Sequence, residues 1–328
     1  MSDVSPYAVI ARHPGGVEVL EQVDLVPPAP GAGEVLIRQT AIGMNFHDIY
    51  VRSGLYPWPV ASDFILGSEG AGIVKGVGAG VIGFREGDRV AYTVVNGGYA
   101  THRLVPAAML LPLPEAVSDA QAAGAVLKGL TAYYLLHDSY PVRAGETLLF
   151  HAAAGGVGLI AGQWLRSKGV SAIGTVGGAD KAKLARDNGY AHVIDYRAED
   201  FVARLREITH GAGVPVVYDS VGKDTVAGSL ECLQTFGHLI CFGQSSGMAE
   251  GFQINDLARG SFYVQRPILF HYASDRVWLE RAAEALFGAI SDGTVKINIG
   301  ATRPLSQVAL AHKDLVARRT MGSTILIP

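Results

Sequence analysis

The spacing of apolar residues changes partway along the chain. Up to about residue 120, short β-branched runs follow turn segments that are rich in glycine and proline. A strand is predicted at 34–42, directly after the turn residues Pro28–Gly33, and similar runs lie at 67–74 and 87–92. Helical periodicity is weak in this part. The pattern therefore predicts a partly open antiparallel β-barrel unit.

From Thr147 onward, strands and helices alternate. Thr147–His151 is predicted to be a buried strand, and apolar residues then recur from Val157 at offsets of 3, 4, 7 and 8, which is one face of a helix ending at Gly169. Further strands are predicted at 170–176, 192–194, 214–218 and 238–242, with helices between them. Alternation of this kind predicts an α/β fold, with a doubly wound parallel sheet of the Rossmann type.

The tail after about residue 265 does not continue this alternation. It contains a predicted helix at 277–291 and a predicted last strand at 324–327. Because chain termini commonly lie close together, the tail is expected to return to the first domain. An apolar run at 261–269 precedes it and is predicted to be an exposed edge strand.

Composition narrows the class of protein. A length of 328 residues suggests two domains. With 49% hydrophobic and 17% charged residues, the chain can build a large core, which excludes global disorder. A net charge of −3 without a basic tract argues against nucleic-acid binding. No signal-peptide pattern or membrane-spanning apolar run is visible, so a soluble, cytoplasmic protein is predicted.

A glycine-rich turn joins the strand at 147–151 to the helix that follows. A pyrophosphate can sit on a helix N-terminus only where the backbone turns sharply and no side chain blocks its approach. Gly155 and Gly158 fall at the second and third glycine positions of the dinucleotide fingerprint, with Gly156 and Val157 between them. A turn of this kind also occurs without a ligand. Its place at the head of several βα units favours a dinucleotide site.

The next strand predicts which dinucleotide is bound. An NAD site usually has an acidic residue about 20 residues beyond the glycine turn. Here the strand ends at Gly178 without an acid, and Lys181 follows. Asp180 is the alternative that would favour NAD, but it is expected in the first helical turn, where negative charge is favourable. Tyr196 can add a hydroxyl donor. The sequence predicts NADPH, preferred over NADH by well above about tenfold.

Segments spread over nearly the whole chain share one family pattern. The longest is Gly145–Gly158, followed by Gln163 and Arg166, and the others lie at 45–48, 52–56, 127–134, 217–222, 242–247 and 322–328. Together they resemble the quinone oxidoreductase/zeta-crystallin group of the medium-chain dehydrogenase/reductase superfamily. The resemblance implies a GroES-like domain from residues 1–124 and 266–328, with a Rossmann domain inserted at 125–265.

The resemblance also implies the site residues. Asn45, Tyr50 and Tyr56 would position the substrate, with Asn45 bonding the ribose or the acceptor oxygen and the tyrosines offering flat apolar walls. The tyrosines are alternatively core or rim aromatics, and Lys128 is alternatively a solvated lysine. No proton donor stands out. The resemblance places these further residues at NADPH: Lys128, Thr131, Ser220, Phe242, Gly243, Gln244 and Arg318, the last near the 2′-phosphate.

No metal site is predicted. Zinc-dependent relatives carry a Cys and a Gly-His-Glu motif where this chain has Asn45 and Gly67–Glu69, and Cys232 and Cys241 are too few for a Cys-rich zinc site. His47 is expected to be structural or solvated. Without zinc there is no Lewis acid to activate an alcohol, so the acceptor must already be electrophilic.

These features favour an NADPH-dependent quinone reductase that transfers a hydride or single electrons to a small-molecule quinone. One alternative is an alkenal/enone reductase. Another is a non-catalytic NADPH-binding protein, either a crystallin or an RNA binder. The resemblance and the predicted edge strand at 261–269 together imply a two-fold homodimer.

Overall fold

The computed structural model describes residues 5–58 and 63–328, which divide into two units. Unit 1 holds the residues up to Leu127 together with 270–291 and 297–328, and unit 2 holds 128–269 with 292–296. The domain boundaries predicted from sequence, after residues 124 and 265, lie a few residues earlier. Residues 1–4, where a signal peptide was sought, are outside the described part.

The N-terminal part of unit 1 is mostly strand. Its elements are β1 (Tyr7–Ala11), β2 (Glu21–Asp24), β3 (Glu34–Met44), α1 (Phe46–Arg52), β4 (Phe64–Ile65), β5 (Glu69–Val77), β6 (Arg89–Thr93), β7 (His102–Pro106) and β8 (Leu110–Pro112).

The middle of the chain alternates strands and helices. Its elements are α2 (Asp119–Tyr134), β9 (Thr147–Phe150), α3 (Gly156–Ser167), β10 (Ser171–Val176), α4 (Ala179–Asp187), β11 (His192–Asp195), α5 (Phe201–Ile208), β12 (Val214–Asp219), α6 (Val226–Cys232), β13 (Leu233–Cys241) and β14 (Tyr263–Gln265). The tail adds α7 (Leu269–Ala273), α8 (Arg276–Ser291), β15 (Ile299–Pro304), α9 (Val308–Val316) and β16 (Ser323–Ile327).

Unit 2 is built on a parallel sheet with the strand order β11-β10-β9-β12-β13-β14. The chain moves outward from β9 to β11 and then restarts at β12 on the other side of β9. This is the doubly wound Rossmann order, so the predicted fold class is confirmed. Leu149, Ile173 and Val217 are fully buried at its centre. Ligands bind such sheets at the carboxyl ends of the strands, where the order reverses.

Unit 1 contains a mainly antiparallel sheet with the order β15-β16-β3-β5-β6-β8, in which β7 also pairs with β3. A smaller antiparallel sheet is formed by β2, β1 and β4. The tail strand β16 lies beside β3, with Thr324 opposite Met44, so the C-terminus completes the N-terminal sheet. The predicted GroES-like β domain is confirmed.

One helix was not predicted, and one local prediction was wrong. Helix signals are weak in the first part of the chain, but α1 forms directly after Asn45. The run at 261–269 was expected to be one strand, but only β14 pairs, and α7 starts at Leu269. Pro267 has no N–H to donate, which ends the ladder. No helix in the described ranges is long and apolar enough to cross a membrane.

Candidate active site

The glycine turn lies between β9 and α3, at the reversal point of the unit 2 sheet. Gly155 is the N-cap of α3, and its N–H donates to the Ala152 oxygen at 2.9 Å. A Cβ on Gly158 would lie 2.6 Å from the Ala152 oxygen and 2.7 Å from the Ala153 oxygen, so only glycine fits there. A Cβ on Gly155 would meet only the Ala152 oxygen, at 3.1 Å. The free N–H groups of the first turn of α3 therefore face an unobstructed approach, as an anion needs.

The loops after β10 and β11 meet beside this turn. An ideal Cβ on Gly177 would lie 2.5 Å from the Tyr196 hydroxyl and 3.1 Å from Arg197 Nε, so both side chains pack against bare backbone. Asp195 Oδ1 accepts the N–H groups of Gly178 and Arg197 at 3.0 and 3.1 Å. Asp195 Oδ1 thus accepts hydrogen bonds from the backbone of its own loop region, while the Arg197 guanidinium lies against Gly177.

The loops after β12 and β13 are tied together at the same edge. The Phe242 N–H donates to the Asp219 oxygen at 2.8 Å, and the Ser245 N–H donates to the Ser220 oxygen at 3.0 Å. A Cβ on Gly243 would lie 2.9 Å from the Ser220 oxygen. Gln244 follows within this loop pair. The structure therefore brings together the four residues assigned here from the resemblance.

A buried series of side-chain hydrogen bonds fixes these strand ends relative to one another. His151 at the end of β9 bonds Thr175 Oγ1 at 2.8 Å through Nδ1 and Ser229 Oγ at 3.0 Å through Nε2. Ser229 donates onward to Asp219 Oδ2 at 3.0 Å. Burial lowers the pKa of His151, although the charge of Asp219 opposes this. A neutral histidine thus links β9, β10, β12 and α6 beneath the glycine turn.

The remaining predicted cofactor residues lie on helices or at a helix end. Lys128 and Thr131 are buried on α2, so Lys128 is not the solvated lysine that was the alternative. Lys181 is half-buried in α4, and Asp180 lies in its first turn, as the sequence predicted. Arg318 follows α9 in unit 1 with a φ of 57°. Roles for these residues at the cofactor remain predictions.

In unit 1, Asn45 caps α1 and is itself held in place. Its N–H donates to Asp48 Oδ2 at 2.9 Å, and its Nδ2 donates to Glu69 Oε1 at 2.9 Å. Glu69 Oε2 accepts the Leu127 N–H at 2.7 Å. All three polar side chains are buried. The Asn45 amide is therefore a fixed group.

Aromatic rings gather beside this cap. Tyr50 and Tyr56 lie with their ring centroids 5.1 Å apart, and His47 contacts Tyr56 edge-on at 5.8 Å. The ring of Phe270 in α7 also contacts His47 edge-on, at 5.3 Å. The structure thus brings together all three residues predicted for the substrate, Asn45, Tyr50 and Tyr56, within one short segment around α1.

Behind α1 lies a fully buried network around Asp48. Arg52 is always a donor, so the 3.0 Å contact of its Nη1 makes His312 Nδ1 an acceptor. His312 Nε2–H then donates to the Tyr99 oxygen at 2.8 Å, and the Tyr99 hydroxyl donates to Asp48 Oδ2 at 2.8 Å. Burial lowers the pKa of His312 to about 4; the charge of Asp48 opposes that shift and the charge of Arg52 adds to it.

Because of this network, the free energy of unfolding is expected to fall as the pH drops below about 6.5. Since the pKa of His312 falls from 6.5 to about 4 on folding, only the unfolded chain gains a proton there as the pH drops below 6.5. The contribution of the His312 pKa shift to the free energy of unfolding is complete above that pH, and about 2 kcal/mol of it should be lost by pH 5. Urea unfolding of the wild type and His312→Gln at pH 7 and pH 5 measures it. The variant should lose less stability over this interval, and equal losses would contradict the assignment.

The residues at the zinc-ligand positions do not fit a metal. Asn45 Nδ2 is a donor, and Ser68 Oγ bonds Asp48 Oδ1 at 2.9 Å. Burial raises the pKa of both Cys232 and Cys241 to about 12, so neither supplies a thiolate. Among the residues that the structure describes, no group of three or more His, Cys, Asp or Glu could hold a metal ion.

Comparison with known proteins identifies the family. A model described as zinc-binding dehydrogenase matches residues 156–284, and one described as alcohol dehydrogenase GroES-like domain matches 31–115. The quinone oxidoreductase of Pseudomonas aeruginosa is 49% identical over 316 residues, covering 96% of this chain and 97% of that protein. The chain belongs to the quinone oxidoreductase family. The resemblance predicted from sequence is confirmed.

Two further similar proteins are named for different activities. The structure of Escherichia coli quinone oxidoreductase complexed with NADPH matches with a TM-score of 0.95 at 45% identity, covering 98% of this chain and 100% of that one. The 2-haloacrylate reductase of a Burkholderia species is 41% identical over 98% of both chains.

Two residues at these sites were not assigned from sequence. Arg197 lies against Gly177. The sequence could have indicated this residue, because it directly follows Tyr196, which was assigned to the cofactor. His47 was expected to be structural or solvated, but it bonds Ser68 Oγ at 2.9 Å and contacts two aromatic rings. Ser68 is 21 positions away in sequence, so no local pattern could have revealed that contact.

Proposed function

We propose that this protein is an oxidoreductase that uses NADPH to reduce a quinone. The observation that carries the proposal is the open glycine turn at the reversal point of the unit 2 sheet, with basic residues at the neighbouring Gly177 loop. Membership in the quinone oxidoreductase family and the NADPH complex of the Escherichia coli relative support it. The residues present fit a dinucleotide.

Unit 2 would hold the cofactor. The N-terminus of α3 would receive the pyrophosphate, where Gly155 to Gly158 leave the N–H groups open. Lys181, Tyr196 and Arg197 would receive the 2′-phosphate through charge-assisted hydrogen bonds. When bound, NADPH supplies the hydride. The protein contributes orientation and charge.

Unit 1 would position the acceptor. Tyr50 and Tyr56 supply apolar ring faces, and Asn45 supplies a fixed amide. A quinone suits such a site because hydride addition yields an aromatic, stabilised phenolate without a Lewis acid. We propose that these three side chains bind the quinone ring and its oxygen.

The test is NADPH consumption in the presence of 1,4-benzoquinone, followed at the cofactor absorbance band. A heat-inactivated sample corrects for the direct reaction. We expect saturable turnover with the native protein. If NADPH binds but no acceptor is reduced, the protein belongs to the non-catalytic alternative.

A second candidate is reduction of an α,β-unsaturated carbonyl, which the 41% identity to a 2-haloacrylate reductase favours. The same assay with an α,β-unsaturated aldehyde separates the two functions. We expect kcat/KM to be higher for the quinone. A higher value for the aldehyde would assign the second function.

We further propose that two copies pair through β14. This strand lies at the edge of the unit 2 sheet, with Tyr263 56% exposed and stacked on His238 at 4.6 Å, and Val264 also exposed. An exposed edge strand is normally covered or paired. Light scattering at micromolar concentration should give twice the chain mass. Val264→Lys should give the monomer mass, whereas the control Ile82→Lys, at another exposed position, should not. A monomeric wild type would refute the pairing.

A further inference from the structure

His47 lies among the rings that we assign to the acceptor. It is the second residue of α1, two positions after Asn45. Its ring contacts those of Tyr56 and Phe270, and its side chain keeps 18% of its surface exposed. Part of the imidazole is therefore open to solvent beside the rings that we assign to the acceptor.

Ser68 fixes which nitrogen of His47 carries the permanent proton. The Ser68 hydroxyl has a single proton and lies 2.9 Å from Asp48 Oδ1 and 3.0 Å from the Val95 oxygen, both of which only accept. Since the hydroxyl proton goes to one of these acceptors, the Ser68 oxygen is left to accept from His47 Nδ1–H at 2.9 Å. The other nitrogen, Nε2, is then the one that gains and releases a proton.

Asp48 lies close to this histidine. Its Oδ1 lies 3.9 Å from His47 Nδ1. Burial alone would raise the pKa of Asp48, but the neighbouring His47 and the Asn45 N–H hold that pKa below its ordinary value. In the part of the chain that the structure describes, the Tyr56 phenol lies beside His47 and the Tyr50 phenol beyond it, while α7 presents the apolar ring of Phe270.

We propose that His47 is the proton donor to the acceptor oxygen. This proposal rests on the proposed function. The quinone accepts a hydride from NADPH, which becomes NADP⁺, and the product is the hydroquinone monoanion. The His47 Nε2–H bond then breaks as the new O–H bond forms, giving neutral hydroquinone and neutral His47. His47 regains its proton from water.

A series of quinones tests this role. Proton donation matters most when the product oxygen is strongly basic, because general-acid efficiency follows Brønsted behaviour. With methyl-substituted benzoquinones, His47→Phe and His47→Gln should lower kcat by about 100-fold, and with halogen-substituted benzoquinones by less than about threefold.

The controls separate chemistry from structure. His13→Phe alters another histidine of unit 1, whose Nδ1 lies 3.1 Å from the adjacent Pro14 oxygen, and should leave every rate unchanged. Circular dichroism and NADPH titration check that the His47 variants fold and bind cofactor. Equal losses with all quinones, or no loss with any, would overturn the proposal. A wild type that reduces no quinone would instead refute the proposed function.

Discussion

Replacing Gly155 by aspartate is expected to lower NADPH affinity by about 100-fold or more and to change stability little, because the new helix cap offsets the tight 3.1 Å approach of the added Cβ to the Ala152 oxygen. Gly155 has an extended N-cap conformation, with φ −80° and ψ 169°, which any residue can adopt. Aspartate is a favoured N-cap, since its carboxylate bonds the N–H of N2 or N3 and faces the positive end of the helix dipole. Those N–H groups are the ones proposed to hold the pyrophosphate. The same substitution therefore caps α3 and fills the anion site.

The size of the effect follows from the bonds that are lost. Two charge-assisted hydrogen bonds at about 1.5–3 kcal/mol each exceed the roughly 2.7 kcal/mol that correspond to about 100-fold in affinity. Fluorescence titration with NADPH measures the affinity, and thermal unfolding measures stability. Gly155→Ser is the matched control, because its hydroxyl can bond the same N–H groups but carries no negative charge, so it should lower the NADPH affinity much less than aspartate does.

Gly158 serves as a second comparison, because a substitution there is expected to lower stability. A Cβ there would lie 2.6 Å from the Ala152 oxygen, so Gly158→Ala must shift the turn and should lower the unfolding temperature. If Gly155→Asp leaves NADPH affinity unchanged, the pyrophosphate does not bind at α3. If it only unfolds the protein, the space around Gly155 is not open.

The unit 2 fold and its glycine turn could be predicted because their signals are local. Val157 and the apolar residues after it follow the helical period, and Gly155 and Gly158 mark a turn within a few residues of the strand they follow. Helix α1 was missed because it has only seven residues and buries most of them, which leaves little periodic contrast. Its start signal was present: Asn45 is followed three residues later by Asp48, whose carboxylate accepts the Asn45 N–H.

The chemistry around α1 could not be predicted because its contacts are long-range. His47 meets Ser68 from another loop and Phe270 from the C-terminal tail. The network behind it joins Arg52 to His312, 260 positions apart. No sequence period encodes such pairs, so His47 could be interpreted only as an isolated histidine. The pairing of β16 with β3 brings the tail to this part of the chain.

The cofactor preference is expected to depend on charges beside Gly177. In the first turn of α4, Asp180 is exposed, while Asp195 Oδ1 is committed to the N–H groups of Gly178 and Arg197. Lys181 is half-buried on α4, and Arg197 lies against Gly177. A 2′-phosphate facing both would gain about 1.5–3 kcal/mol from each bond, less where water screens the charge. Even one screened bond of about 1.4 kcal/mol gives tenfold in affinity.

Charge reversal at these two positions should therefore remove the preference for NADPH over NADH. We expect kcat/KM for the wild type to favour NADPH by well above about tenfold, Lys181→Glu to remove most of that preference, and Lys181→Glu with Arg197→Glu to favour NADH.

Lys183→Glu is the matched control, since Lys183 lies on the same helix, is 79% exposed and pairs with Asp187. It makes the same change in net charge, so it should keep the preference if local contacts decide it. The preference should also weaken with added salt, because these contacts are partly exposed. Equal use of both cofactors by the wild type would refute the assignment and direct attention to Asp180.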